Sequence, residues 1–127
     1  MESDKPRRSI DHVTVRVSDF SASSGFYSTV LTQLGIALGW QDETLRIAEW
    51  GDFSIAEDGK PVATNVHVAF CAGSRADVDA FHRAGLDAGY IDNGAPGERP
   101  IYHPGYYGAF LLDPDGNNVE AVFHDRS

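Results

Sequence analysis

Hydrophobic and polar residues alternate at the start of the chain and then follow a helical spacing. In residues 10–17, IDHVTVRV, the three valines fall on one face of a predicted strand and His12 falls on the other. Ser18 or Asp19 is placed to cap a helix that Gly35 ends. Its apolar positions recur at helical spacing, at Phe26, Tyr27, Val30, Leu31 and Leu34. Three short apolar runs then predict strands at 36–41, 44–50 and 53–57.

The second part of the chain repeats this order of elements. Residues 65–70, NVHVAF, predict a strand with His67 on one face and Val66, Val68 and Phe70 on the other. Ser74 is placed to cap a helix through about residue 88, because Asp77 stands at the capping-box position. Further strands are predicted near 99–103, 107–112 and 118–124.

A constant offset relates the two parts. His12 and His67 are 67 − 12 = 55 residues apart, and each half reads strand, helix and three strands. The same offset relates Val13 to Val68, Phe26 to Phe81 and Leu31 to Leu86. The sequence therefore predicts an α+β fold of two tandem βαβββ modules, over 9–60 and 64–125. Curling of both sheets would pair them into a curved, mostly antiparallel open barrel.

A carboxylate interrupts the last apolar run. After the turn DPDGNN, the predicted strand places Val119, Ala121 and Phe123 on its core face and Glu120 on the opposite face. His12 and His67 also lie on the faces opposite the core. Two imidazoles and one carboxylate converge if these faces line a shared cavity, and such a set binds a divalent metal while leaving positions open. His12, His67 and Glu120 are the predicted metal ligands.

Aromatic residues and a histidine precede the last two strands, in RPIYHPGYY at 99–107. His103 and Tyr106 are candidates for proton transfer and for hydrogen bonding to an oxyanion, alongside Glu120. Further candidates for contact with a substrate are Arg16, Trp40, Trp50, Tyr102 and Tyr107. The alternatives are an aromatic-rich connection or dimer contact for 99–107, a solvent-exposed Arg16, and core or interface tryptophans.

Composition narrows the classes of partner. The chain has 10 basic and 19 acidic residues, so its net charge of −9 argues against nucleic acid and anionic membrane. The single cysteine, Cys71, cannot form an internal disulfide, which fits a cytoplasmic location. The start MESDKPRRS lacks the apolar run of a secretion signal, and no apolar stretch approaches a membrane span.

The stretches IDHVTVRVSD, NVHVAF and YYGAFLLDPDGNNVEAVFH, with the pair Phe26 and Tyr27, resemble the vicinal-oxygen-chelate superfamily. This superfamily includes glyoxalase I, extradiol ring-cleaving dioxygenases, fosfomycin resistance enzymes and bleomycin resistance proteins. The resemblance runs from about residue 9 to 124. It implies a single glyoxalase-like domain over 1–127, often a homodimer, with one divalent metal (Fe, Mn, Zn, Ni or Co) between modules. It carries the ligand roles to His12, His67 and Glu120.

Two functions remain open at this point. The first is a metal-dependent enzyme acting on a small molecule with vicinal oxygens, by isomerase, lyase or ring-cleaving dioxygenase chemistry. A glyoxalase I would carry a fourth ligand at the position of the first module that is equivalent to Glu120. Alignment of Gly51 with Gly116 puts Ile55 at that position, and isoleucine cannot bind a metal. Glu57 lies two residues further on and is the other candidate. The second is a metal-free protein resembling bleomycin resistance proteins, which sequesters a small aromatic or cationic compound.

Overall fold

A computed structural model describes residues 9–127 as two βαβββ modules in sequence. The first contains β1 (Val13–Arg16), α1 (Phe20–Leu31) with a 3₁₀ turn (Thr32–Leu34), β2 (Trp40–Asp42), β3 (Ile47–Trp50) and β4 (Phe53–Ala56). The second contains β5 (His67–Cys71), α2 (Arg75–Asp87), β6 (Ile91–Glu98), β7 (Tyr106–Leu112) and β8 (Asn118–His124). Residues 1–8, part of the predicted single domain and of the predicted non-signal start, lie outside the described residues.

Each module has one open four-stranded sheet. The strand orders are β1-β4-β3-β2 and β5-β8-β7-β6, and the first pair of each sheet is parallel while the other two pairs are antiparallel. The predicted α+β class with mostly antiparallel curved sheets is confirmed. The offset of 55 holds as well, since it takes the start of α1 at Phe20 to the start of α2 at Arg75. No helix in the described range is long and apolar enough to cross a membrane.

Local sequence signals explain both helix starts. The Asp19 carboxylate accepts a hydrogen bond from Ala22 N at 3.1 Å, and the Ser74 hydroxyl accepts one from Asp77 N at 3.1 Å. Each bond satisfies a backbone N–H that has no partner within the helix. Gly35 follows the first helix in the left-handed conformation, with φ of 75°.

The strand predicted at 99–103 is wrong. The strand of this region is β6, over Ile91–Glu98, and residues 99–103 belong to the connection that follows it. Its pairing with β7 shifts register near Gly94 and before Gly97, and Pro96 lies within the irregular part. Glycine and proline are tolerated at such bulges but conceal the strand in a sequence pattern.

The strand predicted at 10–17 begins only at Val13, so His12 precedes β1.

One hydrophobic core joins the two modules through their helix-covered faces. Tyr27 of α1 packs against Phe53 and Phe70, which belong to different sheets and whose rings are 5.0 Å apart. The Tyr27 hydroxyl also donates to buried Asp113 in the turn between β7 and β8, at 2.7 Å. The opposite face of the second sheet, here called the open face, is therefore turned away from the shared core. It carries His67, Glu120, Tyr106 and Phe110.

Candidate functional site

Glu120 is the centre of the open face. It lies in the middle strand β8, with only 1% of its surface exposed. One carboxylate oxygen, Oε1, accepts from His67 Nε2 at 2.7 Å, and the other, Oε2, accepts from the Tyr106 hydroxyl. The three residues come from neighbouring strands β5, β8 and β7. A buried carboxylate is thus satisfied by one imidazole and one phenol, and the imidazole remains half exposed.

A glycine in β7 makes room for this carboxylate. A Cβ atom on Gly108 would lie 3.2 Å from Glu120 Oε2 and 3.3 Å from the Tyr106 ring. Any side chain at this position would press on the carboxylate or on its phenol donor. The absence of a side chain at Gly108 is therefore part of how β7 and β8 hold the carboxylate.

Tyr106 is a protonated donor at neutral pH. Burial raises the pKa of its hydroxyl, and the hydrogen bond to Glu120 raises it further. Its ring packs against Tyr102, His103 and His124, with centroid distances of 4.8, 5.5 and 5.3 Å. The segment 99–107 thus delivers an aromatic cluster to the edge of the Glu120 site.

His103 and His124 form a hydrogen-bonded pair in this cluster. His103 Nδ1 lies 2.7 Å from the carbonyl oxygen of Pro104, which can only accept, so Nδ1 carries a proton. His103 Nε2 lies 2.8 Å from His124 Nδ1, which makes Nε2 the acceptor when His103 is neutral. Burial, and then the neighbouring His103, lower the pKa of His124. His124 is exposed at the end of β8 and is joined to His103 by this bond.

His12 does not join His67 and Glu120 within one chain. It is exposed and its Nδ1 lies 2.8 Å from Asp11 Oδ1, and this hydrogen bond raises the pKa of the imidazole. Across residues 9–127 there is no group of three His, Cys, Asp or Glu side chains placed to hold a metal ion. One chain therefore assembles two of the three predicted ligands.

His67 and Glu120, two of the three predicted ligands, lie at hydrogen-bonding distance from each other. Ligand atoms about 2.1 Å from an ion and at right angles to each other are about 3.0 Å apart. The distance of 2.7 Å between His67 Nε2 and Glu120 Oε1 is slightly shorter than this value. Imidazole nitrogen and carboxylate oxygen are both common donors to zinc, iron and manganese.

The position equivalent to Glu120 in the first module is Ser54. Ala69, two residues after His67, pairs with Glu120, and Thr14, two residues after His12, pairs with Ser54. The alignment that places Ile55 there is wrong by one residue. A one-residue shift moves a side chain to the other face, and Ile55 is fully buried in the core. The hydroxyl oxygens of Thr14 and Ser54 are 2.7 Å apart.

Glu57, the other candidate for a fourth ligand, has a structural partner set. Its Oε1 accepts from Phe20 N at 2.8 Å, at the first residue of α1, and its Oε2 pairs with Arg46. The carboxylate therefore accepts from a backbone N–H that has no partner within the helix, and its negative charge interacts favourably with the helix dipole. The face of the first sheet that carries Thr14 and Ser54 also carries Glu49, which is exposed and pairs with Ser54 in the ladder between β3 and β4.

Of the five remaining predicted site residues, two are exposed and three have partners outside the Glu120 site. Tyr102 is exposed beside Tyr106, and Trp40 is exposed on β2. Arg16 pairs with Asp58 at 3.0 Å. Trp50 is 1% exposed and packs in the core against Tyr27 and Phe53, and the Tyr107 hydroxyl donates to Asp79 at 2.6 Å.

Arg99, Phe110 and His124 lie at the open face and are not among the predicted site residues. Phe110 pairs with Glu120 across β7 and β8, and its ring centroid is 6.3 Å from that of His67. The sequence carries one signal for Phe110, because Tyr106, Gly108 and Phe110 alternate along a single strand face.

Comparisons with known proteins agree with this fold. A model of the Glyoxalase/Bleomycin resistance protein/Dioxygenase superfamily matches residues 9–121. A glyoxalase/bleomycin resistance protein from Albidiferax ferrireducens T118 is 32% identical, with a TM-score of 0.76 over 90% of this chain and 98% of that one. Among curated protein sequences there is no significant match.

More distant structures share the fold alone. A lactoylglutathione lyase from Agrobacterium tumefaciens is 20% identical, with a TM-score of 0.66 over 94% of this chain and 96% of that one. A family enzyme from Burkholderia phytofirmans PsJN is 22% identical, with a TM-score of 0.66 over 90% of this chain and 97% of that one.

Proposed function

The chain belongs to the Glyoxalase/Bleomycin resistance protein/Dioxygenase superfamily, and we propose that it is a divalent-metal-dependent enzyme acting on a small molecule with two vicinal oxygens. The observation that carries the proposal is the pair formed by His67 and Glu120, 2.7 Å apart on the open face. The carboxylate is buried there without an arginine or lysine partner, and a metal ion is a fitting counter-charge for it.

The third ligand, in this proposal, is His12 of a second copy of the chain. The helix-covered faces of both modules share one core, so the opposite faces of the two sheets are free to meet another molecule. In a symmetric homodimer, the first module of each copy faces the second module of the other, which creates two equivalent sites. The exposure of His12 supports this arrangement.

The residues of the chain have defined roles in this scheme. A bound ion acts as a Lewis acid that stabilises negative charge on the substrate oxygens. Tyr106 fixes one oxygen of Glu120 and leaves the other for the ion. The hydrogen-bonded pair His103 and His124 stands beside Tyr106 and supplies the imidazole groups for general acid–base catalysis.

The class of reaction is either isomerase- or lyase-type rearrangement or oxygen-dependent ring cleavage. Ser54 at the position equivalent to Glu120 supports a site with three ligands, because a neutral serine hydroxyl is a much weaker metal ligand than a carboxylate. Fewer protein ligands leave more positions for substrate and oxygen. We place the enzyme in the cytoplasm, in keeping with its single cysteine.

A second candidate function is metal-free binding of a small aromatic or cationic compound. The observation in its favour is that Glu120 already has a complete set of partners in His67 and Tyr106. The aromatic cluster of Tyr102 and Tyr106 at the edge of the site would then contact the bound compound.

Elemental analysis separates these functions. The wild type, purified without chelator or affinity nickel, is expected to hold close to one equivalent of metal per chain. Glu120→Gln is expected to lose it, and Glu43→Gln, which changes the same charge in an exposed turn, is expected to keep it. Wild-type protein that stays empty after reconstitution would favour metal-free binding.

Mixed dimers test the shared site. His12→Ala and Glu120→Gln chains each lack a ligand, but a heterodimer of the two has one complete site. A statistical mixture therefore recovers about one quarter of the wild-type metal content if each site uses both copies. No recovery in a mixture with proven subunit exchange would contradict the arrangement.

A further inference from the structure

Arg99 is bound by backbone carbonyl oxygens, whereas four other arginines form ion pairs with carboxylates. Its Nη2 donates to the carbonyl oxygen of Ala95 at 2.7 Å and its Nη1 lies 3.4 Å from that of Glu98. Within residues 9–127 no carboxylate forms an ion pair with it, although acidic residues outnumber basic ones nearly two to one. The paired arginines are Arg16 with Asp58, Arg46 with Glu57, Arg75 with Glu98, and Arg83 with Asp87.

Two glycines in β6 allow the side chains of Arg99 and Phe110 to approach the sheet closely. A Cβ atom on Gly97 would lie 3.0 Å from Arg99 Nη1, and one on Gly94 would lie 2.8 Å from the Phe110 ring. Gly97 pairs with Gly108, the residue that makes room for Glu120. Because Gly94, Gly97 and Gly108 lack side chains, they leave the space that the phenyl ring, the guanidinium and the carboxylate occupy.

Arg99 shares the open face with the Glu120 site. Its Cζ lies 5.4 Å from the centroid of Phe110, and Phe110 is the ladder neighbour of Glu120. Arg99 N also donates to the carbonyl oxygen of Tyr106 at 2.8 Å, which ties the start of the connection to β7.

We propose that Arg99 binds a carboxylate of the substrate and that the ring of the substrate stacks near Phe110. The inference rests on the proposed function, because it places the two vicinal oxygens at the metal ion that His67 and Glu120 would hold. Two nitrogens of Arg99 are oriented by carbonyl oxygens, and the planar group still has N–H donors for a carboxylate. The substrate is thus a small aromatic or unsaturated monoanion with vicinal oxygens at one end and a carboxylate at the other.

Glu120 and Arg99 carry opposite charges, which gives this site a direction. The ring centroid of His67 lies 6.3 Å from that of Phe110, and the Arg99 guanidinium carbon lies 5.4 Å from the same centroid. A carboxylate that approached Glu120 instead would meet a buried negative charge. Arg99 therefore selects both the charge of the compound and its orientation.

Binding of a matched pair of probes tests the proposal. The probes are 3,4-dihydroxybenzoate and its neutral amide, which differ only in the charge of one group. Isothermal titration with wild-type protein is expected to give at least about tenfold tighter binding of the acid, the size of a charged hydrogen bond. Arg99→Gln is expected to bind both compounds equally, and Arg99→Lys is expected to retain part of the preference because the charge remains.

Arg83→Gln is the matched control, since it removes the same charge from the exposed surface of α2. It is expected to keep the wild-type preference, and thermal denaturation of all variants shows whether each one is folded. Folded Arg99→Gln with an unchanged preference for the acid would overturn the proposal. So would wild-type protein that binds neither compound or binds the amide as tightly.

The same titrations with Glu120→Gln separate this inference from the proposed function. Loss of metal from Glu120→Gln, with the Arg99-dependent preference for the acid kept, is the result expected if both proposals hold. Wild-type protein that holds no metal but prefers the acid in an Arg99-dependent way would refute the metal site and support Arg99 as the anion-binding residue. Metal retained by the wild type, together with equal binding of acid and amide, would refute only the role of Arg99.

Discussion

Gly105 fastens the segment that carries His103 to the end of β8. Its φ is 85°, and a Cβ atom built on it would lie 1.9 Å from the carbonyl oxygen of Asp125. Asp125 N also donates to the carbonyl oxygen of Gly105 at 2.7 Å. An alanine here would meet both an unfavourable backbone conformation and a backbone atom, so the segment and β8 would have to separate.

Gly59 provides the control for the backbone term. Its φ is 81°, close to that of Gly105, but a Cβ atom there has open space around it. The left-handed conformation costs an alanine about 1 kcal/mol. Gly59→Ala should therefore lose about 1 kcal/mol of unfolding free energy. Gly105→Ala should lose at least about 3 kcal/mol, because it also breaks a backbone hydrogen bond and separates packed groups.

Thermal denaturation converts these values into temperatures. About 2.1 cal/mol/K per residue over 127 residues gives an unfolding entropy of about 270 cal/mol/K, so 1 kcal/mol shifts Tm by about 4 °C. We expect Tm to fall by about 4 °C in Gly59→Ala and by about 11 °C or more in Gly105→Ala. Equal shifts in the two variants would refute the close approach of Gly105 to Asp125.

Three further predictions follow from buried or confined groups. Tyr27→Phe removes the donor to buried Asp113 and should lower the unfolding free energy by about 2 kcal/mol in urea denaturation, and an unchanged midpoint would contradict that bond. The pKa of His124 is lowered in the folded state, so the unfolded state binds a proton first as pH falls through 6.5, and stability declines from there toward the lower folded pKa. His124→Gln should flatten the decline of stability as the pH falls below 6.5, and an identical slope in both proteins would count against the assignment. Gly108→Ala pushes on Glu120 and should reduce retained metal in elemental analysis with little loss of Tm, whereas full retention would mean that the carboxylate tolerates displacement.

The sequence predicts the repeat and the helices well because these depend on local rules. Helical spacing and a capping side chain act within a few residues, and the offset of 55 carries the start of one helix onto the start of the other. The alternation in β8 likewise places Glu120 on the face opposite Val119 and Ala121 without reference to any other strand.

The site itself depends on register and on lengths of connections. By the ladders, Ser54 and Glu120 are 120 − 54 = 66 residues apart, so the second module has 66 − 55 = 11 extra residues before β8. Their ladder partners Glu49 and Phe110 are 110 − 49 = 61 residues apart, so 61 − 55 = 6 of the extra residues lie before Phe110 and 66 − 61 = 5 lie between β7 and β8. The bulges near Gly94 and before Gly97 also hide β6 from pattern analysis. Ile55 was misplaced for the same reason, since a single residue of register exchanges the two faces of a strand.

The sequence by itself determines that this protein has two βαβββ modules, where their helices begin, and which side chains turn away from the core. Only the tertiary structure decides that Tyr106 and His67 share Glu120, that Arg99 lies on glycines beside Phe110, and that His12 is not with them. The physical reason is the separation along the chain over which each kind of interaction acts. Spacing along one strand or helix fixes the direction of a side chain, whereas contacts between strands depend on pairing across long separations and on which faces share a core.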